Sequence, residues 1–152
     1  MNVNFINPFI TSTIHTFRTM LNLDVKPGQP KLKTEPFPTY DISGIIGLSR
    51  DAKGSIILSF PKTVALNIVS KFLETELKIV GPDVTDGIGE LTNIIAGSAK
   101  KDLKNMQISI SLPTVIVGKN HQVSCPKDTP EVLIPFESPI GNFTLEVSFK
   151  TK

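Results

Sequence analysis

The sequence predicts an α+β domain in which an antiparallel sheet of about six strands is covered on one face by about three helices. Apolar residues recur at helical spacing in three segments, and several other short runs are rich in β-branched residues. The strand-like runs also cluster instead of alternating strictly with helices, which argues against a parallel sheet. A chain of 152 residues is the size of one domain and can bury roughly two-thirds of the surface its unfolded form exposes.

The first helix is expected to start at Asn7-Pro8, where Asn accepts from free amides and Pro loses no hydrogen bond. Ile10, Ile14, Phe17 and Leu21 form its apolar stripe. The breaker-rich stretch from Pro27-Gly28 to Pro38 reads as an exposed, extended connection. Two β-rich runs follow, Ile42 to Leu48 and Ser55 to Phe60, and the Asp and Gly between Ser49 and Gly54 favour a hairpin. Pro61 opens a second helix with Val64, Ala65, Ile68, Val69, Phe72 and Leu73 on one face, and Gly81-Pro82 closes the segment after it.

Asp83 is the expected N-cap of a third helix reaching about Lys104, with Val84, Ile88, Leu91, Ile95, Ala99 and Leu103 as its buried stripe. The remaining runs are strand-like: Met106 to Leu112, Thr114 to Val117, Glu131 to Phe136, and Phe143 to Phe149. In the last of these Phe143, Leu145, Val147 and Phe149 alternate with Thr144, Glu146, Ser148 and Lys150, as in a sheet with one wet face.

Composition narrows the function. Sixteen basic and fourteen acidic residues are scattered, giving a formal charge of +2 with no long basic run, so nucleic-acid binding is not expected. Apolar runs fall far short of the roughly twenty residues that span a bilayer. The N-terminus lacks the pattern of a secretory signal, so a cytoplasmic protein is expected. Cys125 stands alone and has no internal disulfide partner.

The third helix carries the candidate site. With its stripe facing the core, Asp86, Glu90, Asn93, Gly97, Lys100 and Lys104 fall on the opposite side as one exposed ribbon. Glu90 and Asn93 are spaced i, i+3 and can address a single external group. Gly97 costs up to about 1 kcal/mol relative to Ala, which points to a close approach by another group. Gly87 and Gly89 add a cost for which the sequence offers no reason. Spacing alone describes a solvated polar face equally well.

The arrangement Asp86-x3-Glu90-x2-Asn93, followed by Ile-Ile-Ala-Gly97-Ser-Ala-Lys100 and by Leu112-Pro113, resembles the CheC/CheX/FliY family of chemotaxis phosphatases. The likeness extends to Asn7-Pro8-Phe9, Ile42 to Leu48, Gly54 to Phe60 and Val115 to Gly118. Pro113 lies nearer to Asn93 than in CheC-type motifs, and a second motif copy is missing. Both departures favour the CheX branch, with one active site per subunit.

The resemblance implies a phosphatase acting on the aspartyl phosphate of a CheY-like response regulator, with Glu90 and Asn93 as the functional pair. An acyl phosphate is already activated, so a catalyst need mainly place water in line and stabilise charge. On that logic Asn93 orients the water and Glu90 pairs with a partner lysine. Asp86, Gly97 and Lys100 are expected on the partner-facing surface: Gly97 gives clearance, Lys100 meets acidic groups or favours the helix terminus, and Asp86 has no defined role. No metal site or cofactor of the chain's own is expected, because the Mg²⁺ belongs to the partner. A homodimer joined edge to edge is also implied, with the terminal strand ending at Lys152 as a candidate edge. The same surface would serve a module that binds a phosphorylated receiver domain without catalysis.

Other candidates are weaker. His15 flanks the first helix's stripe with no acidic partner nearby in sequence. His121 could act as a base for Ser124 or Cys125, but no nucleophile motif or orienting carboxylate accompanies it.

Overall fold

The computed structural model describes residues 3–33, 40–118 and 129–151. His121, Ser124 and Cys125 lie outside the described residues. The first helix, α1, spans Val3–Leu21 and so starts about one turn before the expected Asn7-Pro8. Pro8 inside it cannot donate to the Asn4 carbonyl. Upstream burial explains the extension: Phe5 and Ile6 are both in the core, and Phe5 stacks on Phe149. Burying two such side chains, at about 1.5–3 kcal/mol each, outweighs one lost backbone bond.

Two-residue strands β1, Lys26–Pro27, and β2, Lys31–Leu32, come next. The hairpin follows as β3, Ile42–Arg50, and β4, Ala52–Phe60. Helices α2, Lys62–Leu73, and α3, Pro82–Lys101, lead to β5, Ile108–Ile110, β6, Thr114–Val117, β7, Glu131–Glu137, and β8, Phe143–Thr151. The result is the expected α+β architecture, but its antiparallel sheet has eight strands, not about six, ordered β1-β7-β8-β4-β3-β5. The extra strands come from the Pro-rich connection, which pairs with β7; Gly28 N–H donates to the Pro135 carbonyl and Lys33 N–H to that of Glu131. The expected run from Met106 to Leu112 is cut to three residues, and β5 and β6 both pair with β3 as two pieces of one interrupted edge.

The last pair of the hairpin is Leu48 with Gly54, so the chain reverses over residues 49–53, close to the expected stretch, with Arg50 in the left-handed region at φ 82°. Gly54 is thus paired and stands just outside the turn. It faces the backbone of β8 so closely that an added Cβ would lie 1.9 Å from the Ser148 carbonyl oxygen.

The helices cover the sheet face bearing Ile134, Leu145, Leu58 and Gly44, which stand side by side across β7, β8, β4 and β3. Phe143 sits at the centre of an aromatic group with Phe17, Phe60 and Phe136 at centroid distances of 4.7–5.2 Å. At Gly44 the sheet admits α3 directly, because an added Cβ would stand 2.2 Å from Thr92 Oγ1. The same helix is tied to α1 by the Ser12 hydroxyl, which donates to the Ile95 carbonyl at 2.7 Å.

Two expectations fail at β8. Its alternate polar residues Thr144, Glu146 and Ser148 are buried, not solvated, in a layer held by side-chain bonds between Ser43 and Ser59, between Ser55 and Ser148, and between Lys33 and Glu146. Period-2 alternation reports two different faces, and here the polar one is also covered. Nor is β8 an edge: it lies between β7 and β4. Among the described residues the edges are β1 and β2 on one side and β5 and β6 on the other. No helix among the described residues is long and apolar enough to cross a membrane.

Candidate active site

Helix α3 begins at Pro82, with Gly81 as N-cap and no side-chain cap bond; Asp83 lies in the first turn, where its charge favours the positive helix end. Val84, Ile88, Leu91, Ile95 and Ala99 are buried, which fixes the rotation of the helix. Asp86, Glu90 and Lys100 are consequently exposed, as the ribbon predicts, whereas Asn93 and Gly97 are half-buried and not fully exposed. Lys104 is exposed but lies beyond the helix end. His15 is exposed on α1, apart from this group.

The three glycines of α3 separate by environment. At Gly87 a Cβ would press on Val69 Cγ1 of α2 at 2.6 Å, and at Gly89 it would meet Val115 and Pro113 at 3.4–3.6 Å. Those two serve packing inside the chain. At Gly97 a Cβ would meet nothing within 4 Å, so no internal contact compensates its helix cost. The same substitution should act with opposite signs on one helix. Gly87→Ala is expected to destabilise by about 1–2 kcal/mol, because the β-branched Val69 has little freedom to yield. Gly97→Ala should stabilise by about 0.5–1 kcal/mol, raising Tm by roughly 1–4 °C. Urea and thermal denaturation of the two variants measure both, and equal signs would refute the assignment.

Beside Glu90 the surface dips into an open depression of about 500 Å³ lined by Thr85, Asp86, Gly89, Glu90, Pro113 and Val115. Its lining sets Gly89, Pro113 and Val115 beside Thr85 and the two exposed carboxylates. Neither Asp86 nor Glu90 forms an ion pair with a described residue. The depression thus suits a cation with an aliphatic stem. Thr85 and Val115 do not carry a signal that sequence reasoning could use, whereas the unexplained cost of Gly89 did mark the place where β6 approaches the helix.

Pro113 owes its position to the break between β5 and β6. Ser111 N–H donates to the Gly47 carbonyl at 2.9 Å, while its hydroxyl accepts from Gly47 N–H at 2.8 Å and donates to the Leu112 carbonyl at 2.9 Å. One residue therefore clamps the interruption to β3. The chain can then turn Pro113 inward over Gly89.

Fold and site together define a class: an α+β domain in which a helix laid on an antiparallel sheet carries a carboxylate and a carboxamide one turn apart. Residues 42–137 match the family described as chemotaxis phosphatase CheX, and the chain belongs to that family. It is 28% identical over 126 residues to the CheY-P phosphatase CheX of Thermotoga maritima, covering 81% of each chain. A CheC-like superfamily protein from Shewanella sp. PV-4 has 38% identity and a TM-score of 0.90 over 99% of both chains. The CheX structure in a CheX–CheY–BeF3–Mg²⁺ complex from Borrelia burgdorferi has 26% identity and a TM-score of 0.84, with 96% of this chain and 97% of that one covered.

Proposed function

We propose that this chain is a phosphatase that hydrolyses the aspartyl phosphate of a CheY-type response regulator, with Asn93 orienting the attacking water and Glu90 docking to a partner lysine. The observation that carries this reading is the placement of the exposed Glu90 and the half-buried Asn93 one turn apart on a helix seated on the core, beside a depression lined by two carboxylates. Membership of the family and the CheY complex of the Borrelia relative support the choice of partner.

In this reading the carboxamide enters the receiver's site, where its oxygen accepts a hydrogen bond from the water and holds it in line with the acyl phosphate. The P–O bond to the aspartate breaks, the water supplies the new oxygen, and the carboxylate leaves. The Mg²⁺ that offsets the phosphoryl charge is assigned to the receiver. Glu90, with Asp86 beside it, receives the partner's ammonium group, Gly97 leaves room for the opposing surface, and Lys100 lies toward acidic groups further along. Because its substrate is an intracellular signalling domain, the chain is assigned to the cytoplasm.

The decisive measurement is the decay of a phosphorylated receiver domain at saturating concentration, with and without the wild-type chain. An unchanged rate accompanied by binding would make the chain a non-catalytic receiver-binding module.

A homodimer is proposed as well, through β6 and not through β8. The β1–β2 edge is guarded by Lys26, Pro27, Pro30 and Lys31, whereas β6, Thr-Val-Ile-Val, is uncharged and β-branched. Val117→Lys is expected to yield monomers in sedimentation velocity at micromolar concentration. A dimer that persists would rule this edge out.

A further inference from the structure

Resting on the phosphatase reading, we infer that Leu112 is an apolar anchor that seats the phosphorylated receiver domain against α3, working beside the charge contact made by Glu90. At 88% relative exposure it is the most exposed of the large hydrophobic residues described. Single exposed leucines are ordinary. This one is set apart by how it is held and where.

Its backbone is fixed on both sides. Ser111 makes three hydrogen bonds, two to Gly47 and one to Leu112 itself, and Pro113 has a restricted φ and lines the depression with Gly89. A side chain carried on such a clamped break has little backbone freedom left to lose, so its burial yields affinity with a small ordering cost. A polar residue would satisfy the local hydrogen bonding equally well, since the Leu112 side chain takes no part in it.

Its neighbours supply the occupant. Pro113 lines the same depression as Glu90, so Leu112, its neighbour in the chain, adjoins the depression whose carboxylates take the partner's cation. An apolar contact at that margin excludes water and strengthens the charge pair next to it. The matching surface is an aliphatic or aromatic patch of the receiver flanking its phosphorylated aspartate. The rival occupant is a second copy of this chain, because Leu112 lies just before the β6 edge.

Steady-state dephosphorylation separates the possibilities. Leu112→Ala is expected to raise KM about tenfold with kcat within twofold, Leu112→Asp to raise it further, and Leu112→Met to stay near wild type, all with Tm unchanged. An unchanged KM in L112A would overturn the inference, as would a rise in KM that occurs only with dissociation of a dimer in parallel sedimentation runs. Should wild type fail to accelerate phosphate loss, the catalytic reading falls but the anchor is still tested. Titration with a BeF3-loaded receiver must then show L112A binding about tenfold more weakly, and equal binding or none by either protein refutes it.

Discussion

Asn93→Ala is expected to slow receiver dephosphorylation by about 100- to 1000-fold while leaving KM within a factor of about two. The reason lies in the division of roles on α3. An aspartyl phosphate needs little covalent help, so in the proposed mechanism the acceleration this chain adds comes mainly from fixing a water in line. Removing the carboxamide removes the water's orientation and leaves the docking surface. Alanine is the best helix former, and Asn93 is only half-buried beside the core residues Thr92 and Ile95, so the fold should not change. Glu90→Ala is the complementary variant, whose larger effect should fall on KM because the proposed mechanism gives its carboxylate the register of the partner and not the water. Single-turnover decay of a phosphorylated receiver over a range of enzyme concentrations separates kcat from KM. Retention of more than half the wild-type rate by N93A would exclude it as the water-orienting group.

Much of the fold was legible because its signals are local. The stripes of α2 and α3 follow from periodicity alone, apart from Leu73, which is exposed at the end of α2, and so does the polar ribbon from Asp86 to Lys100, since a helix whose core face is fixed has its outer face fixed too. What periodicity could not supply was the meaning of that ribbon, because a catalytic carboxamide and a solvated one have the same spacing. Contacts between distant segments were hidden as well. Nothing near Gly87 in sequence announces Val69, and Gly54 read as a turn residue because its true neighbour, the β8 backbone, is far along the chain. Leu112 was placed inside a strand for a related reason: the interruption depends on Ser111 bonding to Gly47, a long-range contact that β-propensity does not register. The burial of Glu146 belongs to the same class, since its partner Lys33 comes from a segment that reads as a linker.

That last burial leads to a stability effect of comparable size, expected for Lys33→Met at about 3–5 kcal/mol of lost stability. Lys33 follows β2 and pairs its ammonium group with the carboxylate of Glu146 in the centre of the sheet; their side chains are only 9% and 1% exposed. A charge pair so placed pays a large desolvation cost in both partners, and its net contribution relative to a well-packed apolar pair is small. Losing one member is a different matter, because a buried carboxylate then loses this cation while its own desolvation remains. For a chain of this length the loss corresponds to a fall in Tm of roughly 6–20 °C. The double variant Lys33→Met with Glu146→Gln removes both charges and is expected to recover more than half of the deficit, which a double-mutant cycle in urea would quantify. A single-variant loss below 1 kcal/mol would mean that the carboxylate is adequately held by its other surroundings. Because Glu146 lies on the face opposite α3, neither variant should alter kcat below its own unfolding transition. A drop in kcat at full folding would show that the two faces of the sheet are mechanically coupled, so that the latch at Lys33 governs how α3 presents Asn93.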